Sequence, residues 1–190
     1  MVDQSFAPDR LILGTLLLSW IALGWADWQQ HRLSEIEATS GWRESRWHLL
    51  LAAEAACGTL AGMFLETTSL VMLIVVGAYV AHEVTTSFDV GYAAPRRNVS
   101  ATEQRIHDFM TAIPLALVLI FVISHPGPLL AWVGMGDRPL DLGMKLSTDP
   151  PPLWFVVIFL ACSGLNALAY AQELVRCVLT QHRTTEVQLL

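Results

Sequence analysis

Four times along this chain a carboxylate and a histidine are spaced to share one helical face. Asp27 and His31, Glu44 and His48, and Glu103 and His107 are four residues apart, and His82 and Asp89 are seven apart. At 100 degrees per residue, both offsets return to within about 40 degrees of the starting direction. Four carboxylates and four imidazoles converging from four helices form the ligand set of a two-metal site in a helical bundle. Two divalent ions would neutralise Asp27, Glu44, Asp89 and Glu103, whereas the same carboxylates crowded without cations would repel. Oxygen and imidazole donors without thiolate suit iron or manganese, with zinc a further candidate. One acid–histidine pair at this spacing is common on a solvated helix face. Here four of the six histidines fall into such pairs, and repetition favours the metal site.

The elements that must position these residues are membrane helices. Of 190 residues, 54% are hydrophobic and 15% charged, with mean hydropathy +0.48, which is not the balance of a soluble globule. Apolar segments run over Leu11–Ala26, Leu49–Leu65, Ser69–Ala81, Ile113–Ser124 and Leu153–Ala171, each near the length of a bilayer crossing. The expected fold is therefore all-α: a single domain over 1–190 that is an integral membrane helical bundle of about five transmembrane helices, four of them extending into the cytoplasm. Its parts are a four-helix metal-site bundle over 9–125, an external loop over 126–152, and a fifth span with a cytoplasmic tail over 153–190. The first segment reads as a retained helix and not a secretory leader: Asp3 and Asp9 outweigh Arg10 before it, and helical spacing continues beyond Ala26.

Lys and Arg are biased towards the first and third connections, through Arg32, Arg43, Arg46, Arg96, Arg97 and Arg105. This puts those connections in the cytoplasm, the N-terminus outside and the C-terminus inside. Tryptophans 25, 28, 42 and 47 flank the same boundary, and Trp132 and Trp154 the other. Helical spacing carries helix 1 to about Glu37, starts helix 2 near Gly41, carries helix 3 to about Asp89, and starts helix 4 at Ser100, where Ser-Ala-Thr-Glu has the form of a capping box. Gly58 and Gly62, at GxxxG spacing, allow close approach in a tight hairpin of helices 2 and 3. The long connection holds three aspartates and a turn at Leu129–Val133.

Other residues carry weaker signals. Glu54 lies two turns inside the membrane, where an ionisable group is a functional candidate. Its angle to Glu44 and His48 is poor. Glu83 beside His82 and Glu35 beyond His31 are reserve ligands, Tyr92 and Thr86 are candidates to bond the ligands from behind, and His125 and His182 stand alone. Tyr79, Pro114 and Asn166 read as packing or kink positions. The arginines at the mouth are expected to set topology and touch anionic headgroups, with orienting a carboxylate or phosphate of an amphipathic substrate as the alternative. Net charge −6 without a basic run excludes nucleic acid, and no Gly-rich phosphate loop is present. Cys57, Cys162 and Cys177 lie in apolar surroundings and suggest neither a disulfide framework nor a zinc site.

The stretch HEVTTSFDVGYAAPRRNVSATEQRIH, His82 to His107, resembles a segment of small bacterial multi-span membrane proteins of uncharacterised activity: H, six residues, D, two residues, Y-A, then Arg and E-Q-x-x-H. In its ligand logic the whole set is similar to the integral-membrane di-iron oxidases, hydroxylases and desaturases, whose ligands lie on helix ends at the cytosolic face. It departs from them in lacking an HxxHH box, and from the soluble ferritin-like pattern in using pairs four apart in place of ExxH. The resemblance implies a membrane-bound di-iron oxidoreductase acting on a lipid-like or hydrophobic substrate at the cytoplasmic face, drawing on membrane lipids and an electron donor. The alternatives are a zinc-dependent membrane hydrolase, a haem or quinol electron carrier, and a non-enzymatic metal-handling protein.

Overall fold

The computed structural model describes residues 8–136 and 138–188, with side chains over 10–136 and 138–183. Asp3 and Asp137, counted above in the leading segment and the long connection, lie outside the described residues. The chain is all-helical: α1 (Pro8–Leu33), a 3-10 turn (Ile36–Ala38), α2 (Trp42–Phe64), α3 (Ser69–Ala93), α4 (Ala101–Ser124), α5 (Pro126–Trp132) and α6 (Leu153–Gln188). Five of these, all but the 3-10 turn and α5, are long and apolar enough to cross a membrane. Their outward faces carry Leu73, Val80, Leu119, Val157 and Leu168, all well exposed. Much of what is buried is polar or charged, an inversion suited to a lipid solvent.

Helix α1 stops at Leu33, one turn short of the expected Glu37. Glu35 takes a left-handed backbone, φ 50, and the chain folds into the 3-10 turn so that Ile36 is fully buried against α6. Arg176 of α6 meets Glu37 at 3.1 Å beside it. Gly41, φ 69, then caps α2 in a conformation a side chain would strain. Helix α3 runs one turn past Asp89 to Ala93. Ser100 accepts the Glu103 N–H at 3.1 Å and starts α4 as its spacing predicted, although the Glu103 side chain turns inward.

At the opposite end, Gly58 lets α2 lie against Ala78 of α3, and Gly62 faces Val75 and Phe121. Ala61, Val71 and Val75 form a small apolar core there. The turn expected at Leu129–Val133 is the helix α5, pinned by the Trp132 indole N–H to Ser69 O at 2.8 Å. The rest of the connection folds back over the α2–α3 hairpin through Glu66 N–H to Lys145 O and Thr68 hydroxyl to Gly143 O, both 2.9 Å. Helix α6 extends well beyond the apolar run that ends at Ala171 and packs on α1, α2 and the 3-10 turn.

Candidate metal centre

Helix ends bring the acid–histidine pairs to one level of the bundle. Asp27 and His31 lie near the end of α1, Glu44 and His48 at the start of α2, Asp89 near the end of α3, and Glu103 and His107 at the start of α4. Asp27, His31, Glu103 and His107 each offer a donor atom within 4.8 Å of the others, and so do Glu44, His48 and Asp89, while His31 and His48 of these two groups form a third with Glu173. The two groups lie side by side, because the His31 and His48 rings stack with centroids 4.3 Å apart. All but His107 are buried, and His31 and Glu44 are fully so.

Glu173, from α6, joins them. Its Oε2 accepts from His31 Nδ1 at 2.9 Å and its Oε1 from His48 Nδ1 at 2.7 Å, with no solvent exposure. One carboxylate thus takes the Nδ1 of both rings, and the two Nε2 atoms face the acids of the other helices, an arrangement that orients metal-binding histidines. His31 Nε2 stands 3.4 Å from Asp27 Oδ1 and 3.6 Å from Glu103 Oε1. His48 Nε2 stands 3.5 Å from Asp89 Oδ1 and 4.0 Å from Glu44 Oε1. His31 Nε2, Glu44 Oε2 and Asp89 Oδ1 are buried without a hydrogen-bond partner. Such atoms normally find one. Metal bound in the two groups would satisfy them.

Asp27 is held from two further sides. His107 Nε2 lies 2.8 Å from its Oδ1, and the Tyr170 hydroxyl of α6 lies 3.0 Å from its Oδ2 and 3.0 Å from Gly24 O.

Opposite Glu173 sits Arg97, from the α3–α4 connection. Its Nη2 and Nε reach Glu44 Oε1 at 2.7 and 2.9 Å, and its Nη1 reaches Glu103 Oε1 at 2.6 Å. Burial opposes its charge, but the Glu44 and Glu103 carboxylates outweigh burial and hold its pKa above the ordinary arginine value. Expected to set topology and touch headgroups, Arg97 lies instead inside the cluster. The other mouth arginines keep to the rim: Arg32 lies over Trp28, Arg43 and Arg46 over tryptophans, and Arg96 over Tyr92.

His82 is not brought into these groups. Its ring lies edge-on to Trp20 at 5.6 Å, two helical turns from Asp89. Among the reserve residues, Glu35 is exposed, Glu83 is half-buried, and Glu54 accepts the Thr85 hydroxyl at 2.8 Å. Thr86 bonds its own helix at His82 O, Tyr92 reaches Ser40 O at 3.4 Å, and Asn166 donates to Ile21 O at 3.2 Å. His125 and His182 are exposed.

Two residues of the centre were not visible from spacing. Glu173 has no histidine at helical offset. Its signal is Tyr170, one turn before it, together with an apolar pattern that continues through Val175 and Leu179 and so carries the helix past Ala171. Arg97 gave no signal that set it apart from Arg96.

A cavity of about 380 Å³ opens beside Asp27, His48, Asp89 and His107 and runs among Leu17, Leu51 and Phe159. Fold and site together define a multi-pass helical bundle with buried histidine–carboxylate groups that could hold metal. Comparison with protein-family models, with curated proteins and with solved structures gives no match.

Proposed function

We propose that the protein is a membrane-bound di-metal oxidoreductase, with iron as its metal, acting on a lipid-like or otherwise hydrophobic substrate at the cytoplasmic membrane face. The observation that carries the metal is the stand-off of the two Nε2 atoms. At 3.4 to 4.0 Å from four carboxylate oxygens, they are too far for charge-assisted hydrogen bonds, which close to about 2.7–2.9 Å. Ligand atoms that each sit about 2.0–2.2 Å from a shared ion are roughly 2.8–3.6 Å apart at octahedral or tetrahedral angles, which three of these four distances meet.

Charge supports two ions. Asp27, Glu44, Asp89, Glu103 and Glu173 carry five negative charges and Arg97 one positive, which leaves the charge of two divalent cations to be matched. The oxygen and imidazole donor set suits iron. His31, Glu103, Asp27 and His107 would hold one ion and Glu44, His48 and Asp89 the other, with Glu173 fixing the imidazoles and Arg97 the glutamates. Bound iron would supply oxygen activation.

The chain's own residues do the rest. The apolar walls of the adjacent cavity admit a hydrocarbon chain and exclude water, and Tyr170 and Arg97 keep the carboxylates from rearranging. Hydroxylation of a C–H bond consumes one oxygen molecule with two electrons and two protons from a donor, and yields the alcohol and water.

The test is elemental analysis of the detergent-purified protein with an absorption spectrum. About two irons per chain without a haem band is the expected result. Zinc would redirect the reading to hydrolysis, a haem band to electron transfer, and no metal would overturn the centre.

A further inference from the structure

The cavity beside the metal centre is lined by all five long helices. Among the described residues, its exposed lining apart from Val90 lies on one seam: Ala56 and Leu60 on α2, and Leu160, Gly164 and Ala167 on α6. On α2 these follow His48 and Ala52 at steps of four. On α6 they precede Tyr170 at steps of three and four. They therefore continue the faces on which the two helices meet at the centre. Faces turned towards each other on neighbouring helices are ordinarily filled by packing. Here a Cβ added at Gly164 would meet nothing within 4 Å.

The same seam is shut at the metal end. The His48 ring lies 5.6 Å from that of Tyr170, and Glu173 takes its Nδ1 at 2.7 Å. So α2 and α6 touch at the level of the centre and leave a gap further into the membrane. Ala56 and Leu60 stand about 12 and 18 Å along α2 from His48. Arg46 over Trp47 marks the membrane boundary at the His48 end. A hydrocarbon core about 30 Å thick has its middle about 15 Å beyond such a boundary. The seam thus opens at the depth where the methyl ends of lipid chains gather and where a polar head is costly.

We propose that the gap between α2 and α6 admits the acyl chain of a membrane lipid, methyl end first, while its head stays outside in the bilayer. Behind the gap, Leu17, Leu51 and Phe159 give the chain an apolar path to Asp27, His48, Asp89 and His107. The carbon presented to the metal groups then belongs to the methyl-terminal half of the chain. The contact of His48 with Tyr170 and Glu173 sets that position, because it keeps the head from following at its own level. This rests on the di-metal reading for the reaction at that carbon, and on the seam alone for the route.

The test uses the full-length protein in vesicles of phosphatidylethanolamine and phosphatidylglycerol, with and without chelator, and with metal quantified in every sample. Two phosphatidylcholine probes carry a photoactivatable diazirine, one near the methyl end of an acyl chain and one near its carboxyl end. Mass spectrometry maps the residues labelled, with exposed Leu168 as the reference. The methyl-end probe should reach Leu51 and Phe159 inside the cavity, and the carboxyl-end probe should not. Ala56→Phe and Gly164→Phe, which fill the seam from its exposed edge, should abolish the interior labelling and leave Leu168 and metal content unchanged. Gly164→Ala should keep it. Wild-type interior labelling in both phenylalanine variants overturns the proposal. Interior labelling by the carboxyl-end probe alone overturns it in favour of entry past Val90 on α3. A seam shielded from both probes in a dimer overturns it in favour of a second copy of the chain as its cover. Metal without interior labelling overturns the route while the centre stands, and interior labelling of a protein that never takes up metal supports the route and overturns the centre.

Discussion

Glu173 Oε1 lies 2.7 Å from His48 Nδ1, and the same carboxylate holds His31 on its other oxygen. One residue of the last helix thereby orients histidines on two others. Glu173→Ala should lower metal affinity about 10–100-fold while α6 stays in place through Ile36 and Tyr170. Competition with a graded series of chelators measures this, and an unchanged affinity would remove Glu173 from the centre.

Replacing His48 or His107 by alanine should abolish stoichiometric metal and leave membrane insertion intact. His182→Ala should change neither, since His182 is exposed on the far part of α6. Metal per chain in membranes and after purification decides it. Full occupancy in both of the first two variants would sink the site.

Arg97→Met should behave differently with and without metal. In the metal-free protein it strips Glu44 and Glu103 of their cation, a loss of about 3–5 kcal/mol for a broken buried pair. Bound metal stabilises the wild type as well, so it narrows the gap to the extent that the freed Glu44 and Glu103 bind it more tightly in the variant. Thermal unfolding in detergent should therefore show a large deficit with chelator and a smaller one with iron. Equal deficits in both states would mean that Arg97 is a structural clamp alone.

Gly58→Ile should weaken the α2–α3 hairpin, because even a Cβ at Gly58 would stand 3.2 Å from Ala78 Cβ. A cost of about 1–3 kcal/mol is expected for such overpacking. Denaturant midpoints in detergent report it, and a wild-type midpoint would show that the helices separate without penalty.

The Lys and Arg bias predicts that the metal-centre end faces the cytoplasm. A cysteine placed at Glu66 should react with a membrane-impermeant maleimide added outside intact cells, and one at Glu35 should react only after lysis. The reverse pattern would invert the chain in the membrane.

The pairs Asp27–His31, Glu44–His48 and Glu103–His107 were legible in sequence because an offset of four is both a shared face and a single helical turn, so the two side chains reach one point. His82 and Asp89 share a face but lie about 10 Å apart along α3, and a common direction is not a common place. That difference separates His82 from the groups that include Asp89. Helix α1 likewise carried its periodicity through Glu37, yet the burial of Ile36 on α6 broke it at Leu33.

By itself the sequence determined the all-helical membrane architecture, through apolar length, and the level at which acid and imidazole gather, through helical periodicity. Both are local properties written within about twenty residues. Only the tertiary structure decided that α6 reaches back to place Glu173 between His31 and His48, and that Arg97 turns inward while Arg96 stays on Tyr92. These depend on which helices become neighbours. A lone carboxylate or guanidinium has no period of its own, so its partner is chosen by packing and by the charge already buried there.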